Sequence, residues 1–182
     1  MPMIPLAIAA ALLFQQQVPQ RRAPAGSDFD SVQTASRQAV MDVGRGVADM
    51  RSAHEALRRA VFNSPDAMVV QRAQELGQSC QDLTALARAA SGRICRTCFG
   101  AFAQRAMNGY RTALPGVSQV GRQCANRLAQ YVATRTPAAA VRRNIWSVSR
   151  TVVEGLYPYE ARLRDVRQAF GLESPLPRKP AR

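Results

Sequence analysis

The cysteines are the residues in this chain with the clearest chemical potential. Cys95 and Cys98 form a C-x-x-C motif with Arg96 inside it. We expect this motif at the start of a helix, where backbone N–H groups and a nearby arginine lower the pKa of a thiol. Thioredoxin-type enzymes place the motif after a strand, which we do not find, and Phe99 stands where covalent haem attachment requires histidine. The motif therefore predicts a structural disulfide, with thiol exchange and reduced or metal-bound thiols as alternatives.

Helix geometry suggests that the other two cysteines, Cys80 and Cys124, pair with each other. At a rise of 1.5 Å per residue, Cys80 lies roughly 18 Å from a predicted helix end at Gly92. If the chain reverses at Pro115-Gly116, Cys124 returns to about the same level, and we predict one disulfide between Cys80 and Cys124 and another between Cys95 and Cys98. A four-cysteine zinc site is disfavoured because the pairs are offset by about 10 Å. If the helix instead runs straight through Pro115, this geometry predicts that Cys124 lies too far away to pair.

His54 is the sole histidine, and it lies on an apolar helical stripe. A helical bundle can hold haem between a histidine and a methionine, but an isolated histidine is more often packed in a core. The candidate second ligands are Met50, Met68 and Met107. Ser52, His54 and Glu55 point to three sides of one helix, so they cannot act as a hydrolytic triad. We predict no metal, no cofactor and no enzymatic activity beyond what the Cys95–Cys98 pair would allow.

Positive charge is concentrated in the middle of the chain. The 182 residues include 25 basic and 12 acidic ones, Lys179 is the only lysine, and no acidic residue occurs between Asp82 and Glu154. Such a field attracts anions, and arginine binds phosphates and carboxylates in bidentate fashion. Codon bias and a merely solvated surface are the alternatives. The predicted surface for an anionic partner or a membrane comprises Arg88, Arg105, Arg111, Arg122, Arg127, Arg142, Arg143, Arg150 and the aromatic Trp146.

Apolar residues recur at steps of three and four along most of the chain, and this spacing predicts helices. We therefore expect an all-α fold without a sheet, in which four to six helices form an antiparallel bundle. The first long helix runs from about Ser27 to Phe62. A second long helix begins at Ser64-Pro65, where serine would be the cap and proline the first helical residue, and ends at Ser91-Gly92.

The second half of the chain predicts shorter helices separated by prolines. A third helix begins around Cys95, and Pro115-Gly116 have the residue types of a type II turn, so we expect a hairpin of helices three and four that is broken there. A long fifth helix begins at Thr136-Pro137. Pro158 lies inside its apolar stripe, and proline in a helix interior predicts a kink or a split at Tyr157.

Three regions follow from this organisation. Residues 1–26 form an apolar segment that resembles a signal peptide or a membrane tether, residues 27–172 form the helical domain, and residues 173–182 form a basic, proline-rich tail. The apolar run Ile4–Phe14 is too short to span a membrane. Arg21 and Arg22 follow it, which is the wrong charge order for easy translocation. We expect export with membrane association, supported by the even number of cysteines, and a tether on the cytoplasmic face as the alternative.

These features favour a non-enzymatic interaction protein. We expect an accessory or scaffold subunit that docks on the face of a membrane protein complex, or on anionic lipid headgroups, through its arginines and its apolar N-terminal segment. No small-molecule substrate is expected. A thiol-disulfide exchange protein that uses Cys95 and Cys98 is the alternative, and a helical nucleic-acid-binding protein is a second, less favoured one.

Overall fold

The described residues fold into five α-helices. The computed structural model describes residues 25–133 and 138–172, so the predicted cap at Thr136-Pro137, the tail at 173–182 and nearly all of the segment 1–26 lie outside the described residues. The helices are α1 (Ala25–Asn63), α2 (Asp66–Arg93), α3 (Ala101–Ala133), α4 (Ala138–Gly155) and α5 (Tyr157–Ala169). The all-α prediction is confirmed, and the described ranges contain no strand.

The helices form a bundle with four arms. α2 packs against both α1 and α3, and α3 in turn contacts α4 and α5. Gly155 in α4 lies against Val120, and Arg162 in α5 lies against Gly109, so the residue numbers of α4 and α5 rise as those of α3 fall. α4 and α5 together are therefore the fourth arm, antiparallel to α3. They are separate helices that meet at Leu156, next to Pro158, and the predicted split is confirmed.

Two predicted helix starts are wrong. Pro65, and not Ser64, is the N-cap of α2 with ψ 155°, one position later than predicted, and no side chain caps the helix. The third helix begins at Ala101 instead of near Cys95. Ile94 leaves α2 with extended backbone angles, and the apolar Ile94 side chain is buried in the core. This anchoring leaves Cys95 and Cys98 in the connection between α2 and α3 instead of in a helix.

The predicted turn at Pro115-Gly116 is also wrong, because α3 runs through it without interruption. Pro115 is exposed, whereas Leu114 and Val117 on either side of it are buried. A proline ring on the outer face costs the helix the hydrogen bond to the carbonyl of Arg111. Breaking the helix there would remove two core side chains from their neighbours, and this cost exceeds that of one lost hydrogen bond.

Cys80 and Cys124 nevertheless lie at disulfide distance, with 6.1 Å between their Cα atoms, and Cys95 and Cys98 do so with 5.7 Å. The two cysteines predicted to pair are therefore close together, but the chain reversal at Pro115-Gly116 from which we predicted the pair does not occur. α2 does not pack against the beginning of α3 but against its later turns, because the connection at 94–100 carries the chain beyond the end of α2. Gly77 lies next to Leu128 in this register, and Thr84 lies next to Gly121.

Two buried tyrosines join the arms of the bundle. Tyr110 in α3 and Tyr159 in α5 share a hydrogen bond of 2.8 Å between their hydroxyl oxygens, and the Tyr110 hydroxyl lies 3.4 Å from the carbonyl oxygen of Val40 in α1. Burial raises the pKa of Tyr159 to about 12, and it raises the pKa of Tyr110 as well, with a further rise from the neighbouring Tyr159. Both hydroxyls therefore stay protonated at physiological pH.

Candidate anion-binding face

α3 is the most one-sidedly charged element of the bundle. It carries Arg105, Arg111, Arg122 and Arg127 and contains no acidic residue. With 3.6 residues per turn, Arg111 and Arg122 lie on one stripe and Arg105 and Arg127 on another, about 130° away around the helix. Arg105, Arg122 and Arg127 are exposed. The outward surface of α3 therefore lies between two rows of guanidinium groups.

The Arg111–Arg122 stripe faces the seam between α3 and α2. Arg88 in α2 extends this stripe by donating from its Nε atom to the hydroxyl oxygen of Ser118, at 3.3 Å. Arg111 is half-buried, and its Nε atom is buried without a hydrogen-bond partner among the described residues. Arg88 is held near α3 by this contact, so positive charge continues from one helix to the next.

The acidic residues of α2 do not neutralise these arginines directly. Glu75 forms a salt bridge with Arg72 at 2.6 Å, and Asp82 accepts a hydrogen bond from Gln78 at 2.9 Å. Both contacts lie within α2. The two carboxylates thus have partners within α2, and the salt bridges among the described residues do not link either of them to an arginine of α3.

The arginines of α4 play different roles. Arg142 donates to the carbonyl oxygens of Val61 and Ser64 and pairs with the Asp66 carboxylate at 2.7 Å. The last carbonyls of a helix have no partner inside it, and Arg142 satisfies one in the last turn of α1. It is therefore a structural clamp between α4 and the α1–α2 connection, although it was predicted as a docking residue.

Arg143 and Arg150 are exposed on α4. Arg150 pairs with Glu154 one turn later at 2.8 Å, and the hydrogen bond that Arg150 donates to the Glu154 carboxylate raises the pKa of Arg150. The structure thus brings together only part of the predicted set. Arg88, Arg105, Arg111, Arg122 and Arg127 form the cationic face of α2 and α3, and Arg143 lies on the neighbouring arm.

Trp146 is half-buried, not freely exposed. Its ring stacks on His54 with 5.8 Å between ring centroids and meets the edge of Phe62 at 5.9 Å. Burial is the main cause that lowers the pKa of His54, with smaller contributions from Arg58 and Arg51, and Glu55 opposes the shift. Trp146 therefore fastens α4 to α1, and little of its ring remains for a partner.

The cysteine motif lies on a half-buried connection that three polar contacts hold in place. The Cys95 backbone N–H donates to Ser36 Oγ at 2.9 Å, and Gln33 and Gln104 donate to the carbonyls of Cys98 and Cys95. Because α3 begins only at Ala101, the motif lacks the helix N-terminus that was expected to lower a thiol pKa. In the described part of the chain, no group of three or more His, Cys, Asp and Glu residues is placed to hold a metal ion.

A groove between α1 and α5 was not predicted from the sequence. It has a volume of about 590 Å³, and three arginines, Arg37, Arg45 and Arg167, line it together with apolar side chains. One signal was available: Met41 lies outside the apolar stripe of α1 and is exposed. That signal is weak, because single exposed apolar residues are common on protein surfaces.

Comparisons with protein-family models, with curated proteins and with solved structures found no match for this chain. No helix among the described residues is long and apolar enough to cross a membrane. The two cysteine pairs at disulfide distance are compatible with an oxidising, exported location.

Proposed function

We propose that this protein is a non-enzymatic accessory or scaffold subunit that docks on an anionic surface of a membrane protein complex. The observation that carries the proposal is the charge of α3, which has four arginines and no acidic residue along its full length. A solvated surface that served only solubility would mix charges of both signs, as α1 does with Asp42, Glu55 and their arginine partners. The one-sided charge therefore favours recognition of an anion.

The rigidity of the cationic face supports the same proposal. α2 and α3 are joined by the Cys80–Cys124 pair, and Thr84 in α2 donates from its hydroxyl to the carbonyl oxygen of Ser118 in α3, at 3.4 Å. A preorganised surface loses less conformational entropy on binding than a flexible basic segment does. Export and attachment through residues 1–26 belong to this proposal, and they rest on the apolar run Ile4–Phe14 and on the even cysteine count.

The test compares three versions of the full chain in the producing organism. The first is wild type, the second carries Arg105→Gln, Arg122→Gln and Arg127→Gln, and the control carries Arg59→Gln, Arg162→Gln and Arg164→Gln. Both triple variants lose the same charge from exposed positions. After gentle detergent extraction and gradient sedimentation, wild type and control should migrate with a large complex and the α3 variant should migrate alone. Migration of all three chains as free protein would refute the proposal.

Thiol-disulfide exchange remains the second candidate, because Cys95 and Cys98 are only half-buried and lie at disulfide distance. An insulin-reduction assay on the purified chain separates the candidates, with Cys95→Ser as the test variant. Turnover that disappears in this variant would favour the exchange protein over the scaffold. We expect no turnover with either chain, since no helix N-terminus stabilises a thiolate at this site.

A further inference from the structure

The groove between α1 and α5 has the size and lining of a small-molecule site. Its volume of about 590 Å³ falls within the roughly 300–1,000 Å³ typical of ligand pockets. The floor is apolar and fixed, because Val40, Met107 and Val166 are buried in the core. At the edges, the side chains of Met41 and Leu172 are 60% and 75% exposed. Apolar surface thus continues from the core to the solvent on both sides.

All the charge that lines the groove is positive. Arg37, Arg45 and Arg167 contribute guanidinium groups, and no acidic residue is among the described residues that line it. Arg37 is held at the mouth, since its guanidinium carbon lies 5.1 Å from the ring centroid of Phe170 and 6.0 Å from that of Phe99. An anion at this mouth would meet the Arg37 guanidinium group, which the two rings already hold in position.

The lining also limits the class of ligand. Apart from the arginines, every side chain that lines the groove is apolar, and the wall from α1 and α5 is helical, so its backbone groups are already hydrogen-bonded. A peptide bound in an extended conformation would bring amide groups that find no partner there, and unpaired buried amides are costly. A ligand with one anionic head and one hydrocarbon chain leaves no such group unsatisfied.

We propose that this groove binds one fatty acid. The carboxylate binds at the arginines of the mouth, where charge-assisted hydrogen bonds are strong. The acyl chain lies against Met107, Val166 and Leu163, where it is removed from water. The site is independent of the proposed docking function, because its arginines lie on α1 and α5 and α3 contributes the apolar Met107 to it but none of the docking arginines.

The binding test uses isothermal titration of the full chain with dodecanoate below its micelle concentration. We expect one dodecanoate per chain, with binding at least about tenfold tighter than that of dodecyltrimethylammonium, which has the same chain and the opposite charge. Equal affinity for the two amphiphiles, or no binding of dodecanoate, would overturn the proposal. Arg45→Gln should weaken dodecanoate binding, and Arg45→Lys should retain most of it.

Gly44→Leu blocks the groove without endangering the fold. Gly44 lies in the wall, an added Cβ would meet only the Leu163 side chain at 4.0 Å, and leucine is a better helix former than glycine. Gly116→Leu is the matched control, because its site in α3 is open and outside the groove. Dodecanoate affinity should fall about tenfold or more in Gly44→Leu and stay unchanged in Gly116→Leu.

Two other occupants would each contradict the fatty acid. If flotation of wild type on phosphatidylglycerol vesicles is lost in Gly44→Leu, the groove takes a bilayer lipid. If sedimentation shows a wild-type dimer that Gly44→Leu dissociates, the groove takes a second copy of this chain. Unchanged dodecanoate affinity in Gly44→Leu would show that binding occurs elsewhere.

Discussion

At Gly121 the backbone of α3 lies so close to α2 that no side chain fits. An added Cβ would lie 2.7 Å from the carbonyl oxygen of Cys80 and would also collide with the Thr84 hydroxyl. A carbonyl in the middle of a helix cannot move aside without moving the helix. Glycine is therefore required here by close packing, although in a helix interior it costs roughly 1 kcal/mol relative to alanine.

Gly121→Ala should accordingly destabilise the protein by about 1–3 kcal/mol, because the new methyl group forces α2 and α3 apart. Gly116→Ala is the control in the same helix, at a site with no atom within 4 Å, and it should be neutral or slightly stabilising. Chemical denaturation followed by circular dichroism gives both free energies of unfolding. A Gly121→Ala chain as stable as wild type would mean that the helices are further apart than the structure has them.

The tyrosine pair gives the protein a specific sensitivity to alkali. An unfolded tyrosine has a pKa of about 10, whereas the pKa of Tyr159 is raised to about 12 in the folded protein. The folded state keeps its phenol protons at a pH where the unfolded state releases them. The stability associated with this shift is complete below pH 10 and is lost as the pH rises towards 12.

A double variant with Tyr110→Phe and Tyr159→Phe should change stability at pH 8 by only about 1 kcal/mol or less, because removing both hydroxyls leaves neither of them without its partner. Its free energy of unfolding should then fall less than that of wild type between pH 10 and 11.5. Urea unfolding at several pH values measures this difference. A gap between the two chains that stays constant over this range would show that neither tyrosine is shielded from solvent.

Among the helices, α3 shows that packing can override a local sequence signal for a turn. Pro115-Gly116 are ideal turn residues, and nothing next to them in the sequence reveals that Leu114 and Val117 are buried in the core. At Pro158 the same residue type does separate two helices, because it lies at the N-terminal end of α5, where a missing N–H costs nothing. The apolar spacing predicted the helices and most of the core, but the position of the chain reversals depended on contacts between distant residues.

Pro115→Ala therefore should raise the free energy of unfolding by about 1–3 kcal/mol, because alanine restores a backbone donor inside an uninterrupted helix. The control is Pro158→Ala at the start of α5, which should change stability little. Thermal unfolding of wild type and both variants measures these changes in stability. If the chain turned at Pro115, alanine there would lower stability instead.

The Cys80–Cys124 pair stabilises the hairpin of α2 and α3. It closes a loop with a sequence separation of 44 residues, which corresponds to a stabilisation of about 4 kcal/mol in the chain-entropy model. The pairing could be proposed from the sequence because both cysteines lie on core stripes. The Arg142 clamp and the groove could not be predicted from the sequence, because each is built from helices that are distant in sequence and that meet only in the folded bundle.

In the whole molecule, the net charge of +13 is unevenly arranged. Salt bridges within α1 and within the α4–α5 arm pair some of the arginines with carboxylates. Arg142 is paired with Asp66 and holds α4 against the rest of the bundle. The arginines of α3 have no acidic neighbour on their own helix. Predicting the charged middle of the chain required only the sequence, but separating structural arginines from the others required the packed helices.

The most direct measurement is the rebinding of purified chain to membranes from cells that lack it. Wild type, the α3 variant (Arg105→Gln, Arg122→Gln and Arg127→Gln) and the control variant (Arg59→Gln, Arg162→Gln and Arg164→Gln) are compared at several salt concentrations. We predict saturable binding of wild type and control that weakens as salt rises, and binding of the α3 variant that is at least about tenfold weaker. Equal binding of the two triple variants would contradict the account, because net charge alone would then explain the attraction.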